Sequence, residues 1–237
     1  MSLVDFRDEI RYGIPAADLI LGNRSYVLGY SYYFRQAKWA LEIVNPLNEN
    51  IERLDNFRSD YRIPEIFRAD LVDYSGSGYD RGHLIASANQ IEKERDNSDT
   101  FLLSNMSPQS PNFNRGIWKK LEGEVRKLAN KPNNLATYVI CGPVFYFDKP
   151  VEKIGTKDKN GISIPIPNAY FKSILSEDVR GKLKMWSFIL PNEESDEELK
   201  KFSVSTSLVE KIAGIKLWEK LVGSKIEREK DKIRKMW

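Results

Sequence analysis

Cysteine and histidine each occur once in the 237 residues, as Cys141 and His83. A lone cysteine excludes an internal disulfide, and no cysteine cluster is available to hold zinc. No segment approaches the roughly 18 consecutive apolar residues that a membrane-spanning helix requires, so no membrane partner is expected. The opening residues, Met1-Ser2-Leu3-Val4-Asp5, lack the basic and apolar regions of a secretory signal, and the compartment stays open. Internal repeats and low-complexity stretches are missing too. Net charge is only +3, so charge alone does not announce a nucleic-acid partner, although a local basic groove is enough for one.

What is present is an ordinary globular balance, 41% apolar and 30% charged residues. The length suits one sizeable core, and a single domain over residues 1–237 is expected. Ser25–Tyr33 and Lys38–Val44 are rich in aromatic and β-branched residues and read as a hairpin. Residues 45–78, broken by Pro46, Pro64, Gly76 and Gly78, read as loop with short helical turns. Phe101–Ser104 reads as a short strand. From Asn112 to Asn130 the period changes, with Ile117, Leu121, Val125 and Leu128 at helical spacing until Asn130, Lys131 and Pro132 stop the helix. Thr137–Cys141, Tyr170–Leu175 and Lys184–Leu190 read as strands, Leu208–Ile212 as part of a helix and Ile215–Leu221 as a short apolar element. The tail from Lys225 to Trp237 is charge-dense and reads as a helical end that projects or docks on a partner. This order of strands, one long helix and more strands is α+β, not doubly wound α/β.

Chemistry concentrates around His83, in Tyr79-Asp80-Arg81-Gly82-His83 after the flexible Gly76-Ser77-Gly78. A phosphate-binding P-loop is excluded, because its lysine and Ser/Thr are missing. Downstream, Asn114, Trp118 and Glu122 fall at i, i+4 and i+8 and lie along one face of a regular helix. An asparagine oxygen and a carboxylate are hard donors suited to Mg²⁺, which keeps several waters. An asparagine capping a helix, with an exposed glutamate beyond it, accounts equally well for the same spacing.

Together these stretches resemble the DNA/RNA non-specific endonuclease family, and within it the endonuclease G-like branch. The resemblance rests on Tyr79-Asp80-Arg81-Gly82-His83, then Phe101-Leu102-Leu103-Ser104-Asn105-Met106-Ser107-Pro108-Gln109, then Asn114 and Trp118…Leu121-Glu122, in family order. It runs from about residue 12 to about residue 222, leaving 224–237 as an unmatched charged tail. It implies a mixed, largely antiparallel sheet core with a ββα-metal finger that carries the active site. It also implies a metal-dependent hydrolase of DNA and RNA phosphodiesters that leaves 5′-phosphates. By the same resemblance His83 is the general base, Asn114 the direct ligand of Mg²⁺ (or Mn²⁺), and Glu122 a holder of metal-bound water. Arg81 and Arg53 match arginines on the scissile phosphate, with Arg58 competing for the place of Arg53. Asn105 matches a residue that orients the site, Asp80 reads as a supporting acid and Trp118 as core packing. The sequence departs from the family after His83, where Leu84-Ile85-Ala86-Ser87 is bulkier at its second position and is expected to reshape the groove wall. Beyond DNA and RNA, a homodimer and an inhibitor protein are the partners the resemblance brings into view. Family members are exported or mitochondrial. Two other readings fit the same chain: a catalytically idle nucleic-acid-binding module, and a toxin or defence nuclease under inhibitor control.

Overall fold

Residues 7–45, 51–148, 150–155 and 162–237 are described by a computed structural model. The expectations for Met1–Asp5 and for the loop around Pro46 fall wholly or partly outside these residues.

The aromatic and β-branched segments become strands because they bury side chains on both faces of one sheet. Three strands come first, β1 (Leu19–Gly22), β2 (Tyr26–Ser31) and β3 (Gln36–Ile43). Those after the central region are β6 (Asn134–Val144), β9 (Ala169–Asp178), β10 (Leu183–Pro191) and β11 (Ser203–Val204). They form a seven-stranded sheet in the order β1-β2-β3-β6-β9-β10-β11, with every neighbouring pair antiparallel. The expected hairpin is β2–β3, and the three expected later strands lie inside β6, β9 and β10.

Register sorts the side chains by face. Ala40, Cys141, Lys172 and Phe188 form one cross-strand row, and Glu42, Val139, Ile174 and Trp186 the next. Most of these pack into a core that also takes Trp118, Leu121, Val125 and Leu128 from the long helix. The opposite face, with Trp39, Leu41, Ile140 and Phe171, is covered by residues from both ends of the chain, including Tyr12, Val209, Leu217 and Trp218. A sheet covered on both faces loses simple apolar–polar alternation, and nearly every residue of β9 is buried.

Between β3 and β6 the chain leaves the sheet and builds a finger. It contains α1 (Leu71–Tyr74), β4 (Asp80–His83), α2 (Glu94–Thr100) and β5 (Met106–Gln109). Then come α3 (Pro111–Phe113), a wide π-turn over Asn114–Trp118, and α4 (Lys119–Ala129). Strands β4 and β5 pair only with each other, His83 opposite Met106 and Gly82 opposite Ser107. This strand–strand–helix unit beside a large antiparallel sheet is the expected α+β, ββα architecture. A small hairpin, β7 (Lys153–Ile154) with β8 (Ile164–Pro165), packs against Tyr74 and Met106 at its base. Two helices close the chain, α5 (Thr206–Ala213) and α6 (Ser224–Lys230).

Two local expectations are corrected. Phe101–Ser104 is not a strand: Phe101 ends α2, Leu103–Asn105 make a tight helical turn, and the strand begins at Met106. Pro108 is tolerated there because only one edge of β5 is paired. The short apolar element expected at Ile215–Leu221 is an irregular segment that buries Leu217 and Trp218. The charged tail neither projects nor waits for a partner, because it docks on this chain's own sheet. Glu229 accepts from the Met185 amide, Lys230 is buried and donates to Glu210 and to the Leu217 carbonyl, and Trp186 Nε1 donates to the Lys235 carbonyl.

Candidate active site

His83 ends β4, and its ring stands edge-on to two aromatic rings, Phe101 at 5.0 Å and Phe57 at 5.7 Å between centroids. Phe57 and Phe101 are themselves edge-to-face at 5.0 Å, so three rings form a closed triangle. Two guanidinium groups lie on the outer faces of that triangle. Arg81 sits 4.1 Å from the centre of Phe57, and Arg53 sits 5.1 Å from the centre of Phe101. Burial, then the charges of Arg53 and Arg81, pull the His83 pKa down to about 3, so the imidazole is neutral at physiological pH. Its Nε2 is buried and finds no hydrogen-bond partner among the described residues. An orphaned imidazole nitrogen is a group for which a reacting water or ligand is the natural partner.

The two candidates for the second phosphate arginine are separated by their contacts. Arg58 donates to the Ser98 carbonyl and lies 3.8 Å from Asp99, which ties it to the end of α2. Arg53 is more than half exposed, its ion pair to Asp55 is long at 3.5 Å, and it is the one brought to His83.

β4 is held by backbone devices. A Cβ on Gly82 lands 2.2 Å from the Gln109 side chain, so glycine here makes the room that the buried Gln109 side chain fills. The backbone after His83 is clamped by Asn105, which is fully buried: its Oδ1 accepts from the Ile85 amide, and its Nδ2 donates to the carbonyls of Ile85 and Thr100. Asn105 therefore holds the backbone that follows His83. Leu84 and Ile85, expected to reshape the groove wall, are instead wholly buried in the core beneath α4. The wall of the groove, of about 560 Å³, includes Leu71, Tyr74, Tyr79 and Arg81.

Asn114 lies at the start of the π-turn, where it follows α3, and not at a helix N-cap; the N-cap position of α3 is Ser110. Its Nδ2 donates to Asp80 Oδ2 at 2.8 Å, which fixes the amide and turns Oδ1 away from Asp80. Arg115 closes the other side of Asp80 with two hydrogen bonds at 2.7 and 2.9 Å. Burial raises the Asp80 pKa, but the bonds from Arg115 and Asn114 outweigh it and the net shift is downward. Asp80 is thus an anion held between Asn114 and Arg115. The wide turn, with Gly116 at φ −99° and ψ −109°, interrupts the regular helical spacing. Trp118 enters the core while Asn114 and Glu122 stay half-buried, and the regular-helix spacing expected from Asn114 to Trp118 is lost in the turn.

Glu122 sits on α4 above the sheet. Burial raises its pKa, opposed by the charges of Lys172, Arg126 and Lys119. Below it Lys172, 3% exposed, holds its Nζ 4.2 Å from the centre of the Trp118 ring. Glu42, also buried, accepts from Asn89 Nδ2 and Gln90 Nε2, and burial pushes its pKa up to about 7. Sequence reading missed this buried polar layer, together with Arg115 and Gln109. Only the position of Arg115, adjoining Asn114, offered a signal. Among the described residues no group of three His, Cys, Asp or Glu forms a cage for a metal. One fixed amide oxygen with a carboxylate nearby suits a hard cation that keeps most of its waters.

Comparison with known proteins agrees with this architecture. The family model described as DNA/RNA non-specific endonuclease matches residues 9–224. Mitochondrial endonuclease G of Caenorhabditis elegans is 35% identical over 93% of this chain and 74% of its own length. The human mitochondrial endonuclease G is 33% identical, covering 86% of this chain and 71% of its own. A solved structure described as the EndoG/EndoGI complex, on the mechanism of EndoG inhibition, superposes with a TM-score of 0.82 at 31% identity. It covers 90% of this chain and 91% of the other.

Proposed function

The chain belongs to the DNA/RNA non-specific endonuclease family and is a nuclease, and on that premise we propose that it hydrolyses phosphodiester bonds of DNA and RNA with Mg²⁺, leaving 5′-phosphates. The observation that carries this reading is the convergence of the lone histidine and two arginines on one pair of aromatic rings. Neutral His83 removes the proton from the attacking water. Arg53 and Arg81 grip the phosphate oxygens through forked guanidinium groups that remain charged. A phosphodiester between them offsets their positive field, which raises the basicity of His83 when substrate is present. Asn114, oriented by Asp80, would hold the metal directly, and Glu122 would hold it through water. When bound, the metal neutralises charge on the phosphate and on the departing 3′-oxygen. Because these groups address the backbone, sequence specificity is low.

An inhibitor protein is a further proposed partner, supported by the solved relative described in complex with EndoGI. A mitochondrial or exported location is proposed from relatives named as mitochondrial nucleases; no described helix is long and apolar enough to cross a membrane.

The test is digestion of supercoiled plasmid and of mixed-sequence RNA, with Mg²⁺ and with excess chelator. Cleavage of both substrates, abolished by chelator and lowered by about 10²–10⁴-fold in His83→Ala, is expected. Near-full activity in His83→Ala, or in chelator, refutes the assignment. An inactive wild-type chain that still binds DNA identifies a binding module instead.

A further inference from the structure

A second pocket, of about 420 Å³, is lined in part by the β7–β8 hairpin and shares no lining residue with the groove of Arg81, and the proposed reaction makes no use of it. The turn from β2 to β3 builds it. Arg35 holds φ at +53°, an unusual conformation for a residue with a side chain, and presents Tyr33 and Phe34 outward. Phe34 stacks on Phe145 with centroids 4.5 Å apart and planes 10° off parallel, and Phe147 continues the tier at 6.5 Å from Phe34. The outer members, Tyr33 and Phe147, are 79% and 77% exposed. Two cations line the pocket, Arg35 and Lys153, and no carboxylate does among the described residues.

Stacked aromatics edged by cations have the chemistry that single-stranded nucleic acid requires, since every base has a π-face and every link an anionic phosphate. A second copy of this chain fits less well. A two-fold contact places the same patch on both partners, which brings Arg35 and Lys153 against their own like charges. The pocket also lies only a short span of chain from the groove that Arg81 lines. Phe67 in its wall and Leu71 in the wall of the groove beside Arg81 are four residues apart, at most about 14 Å of chain.

Resting on the nuclease reading above, we propose that this pocket is a base-stacking subsite for an unpaired strand that runs out of the catalytic groove. Bases in duplex are already stacked on one another and cannot enter it, so the subsite favours single-stranded substrates.

The experiment compares wild type, Phe147→Ala, Phe147→Trp and Tyr33→Ala/Phe147→Ala on a single-stranded 12-mer and on duplex plasmid, with molar mass followed by light scattering. Loss of one stacked base raises KM for the 12-mer about five-fold or more. The plasmid rate and molar mass should not change, and Phe147→Trp should restore the single-strand KM. An unchanged KM for the 12-mer overturns the proposal. So does an equal loss on both substrates, which marks a structural role, or a fall in molar mass, which marks a second copy as the occupant. Failure of the wild type to cleave either substrate defeats the nuclease reading itself.

Discussion

A chain with one histidine gives an unambiguous probe of its own active site, because every imidazole resonance belongs to His83. The perturbation is removal of the two flanking charges, singly and together, in Arg53→Ala and Arg81→Ala. The spacing from Arg81 to Phe57 is 4.1 Å and from Phe57 to His83 5.7 Å, which puts the Arg81 charge within about 10 Å of the imidazole. The Arg53–Phe101–His83 path gives the same bound. At about 10 Å, a unit charge changes a pKa by roughly 0.3 units at water-like screening and roughly 1.2 units at an effective dielectric near 20. Both arginines are exposed, so single substitutions are expected toward the lower figure, with the double variant rising by the sum. The assay is a ring ¹H–¹³C titration downward from pH 8, repeated at high salt, where the arginine contribution shrinks. Wild-type His83 should stay neutral at pH 5, since burial and the two charges hold its pKa near 3. The sign for stability follows. The unfolded chain takes up the proton first, so stability falls as pH drops below the free value near 6.5, by about 1.4 kcal/mol per unit until pH nears 3. A wild-type midpoint near 6.5, or a double variant that titrates where wild type does, refutes the account of His83 as a base kept neutral by this surround.

Two further outcomes can be checked by urea denaturation. Asn105→Ala orphans the Ile85 amide and two carbonyls and should cost about 3 kcal/mol; a loss below about 1 kcal/mol contradicts the clamp. Glu42 carries a raised pKa, so it disfavours folding increasingly as pH climbs from about 4.5 to about 7. Glu42→Gln should therefore gain on wild type by up to about 3 kcal/mol between pH 4.5 and pH 8, and a pH-independent difference counts against this.

Much of the site was legible because its residues are close in sequence. The strand Asp80–His83 and the helix after Asn112 carry their own periodicities and turn residues. Phe101–Ser104 misled because an apolar run is buried in either a strand or a tight turn, and the choice was made by Asn105 bonding backward to Thr100 and Ile85. Glu42 and Lys172 lie 130 positions apart and meet only through the registers of β3, β6 and β9, which no local pattern encodes. The tail misled for a related reason: its charges looked solvated, yet Glu229 and Lys230 have partners on β10 and α5.

The catalytic finger departs from β3 and returns to β6, and these two strands are neighbours, with the Val44 amide bonded to the Thr137 carbonyl at 2.8 Å. In engineering terms this is an insertion whose two ends meet, the geometry in which a segment is most readily exchanged between relatives. Loop closure penalises length only logarithmically, so a longer or shorter finger changes the entropy little. What limits exchange is the surface beneath. Lys172 meets Trp118 of the finger, Glu42 meets Asn89 and Gln90, and Trp237 donates to the Glu124 carbonyl of α4. A chimera that takes residues 44–137 alone inherits buried donors and acceptors without their mates, whereas one that also carries Glu42, Lys172 and the last turn of chain keeps them matched.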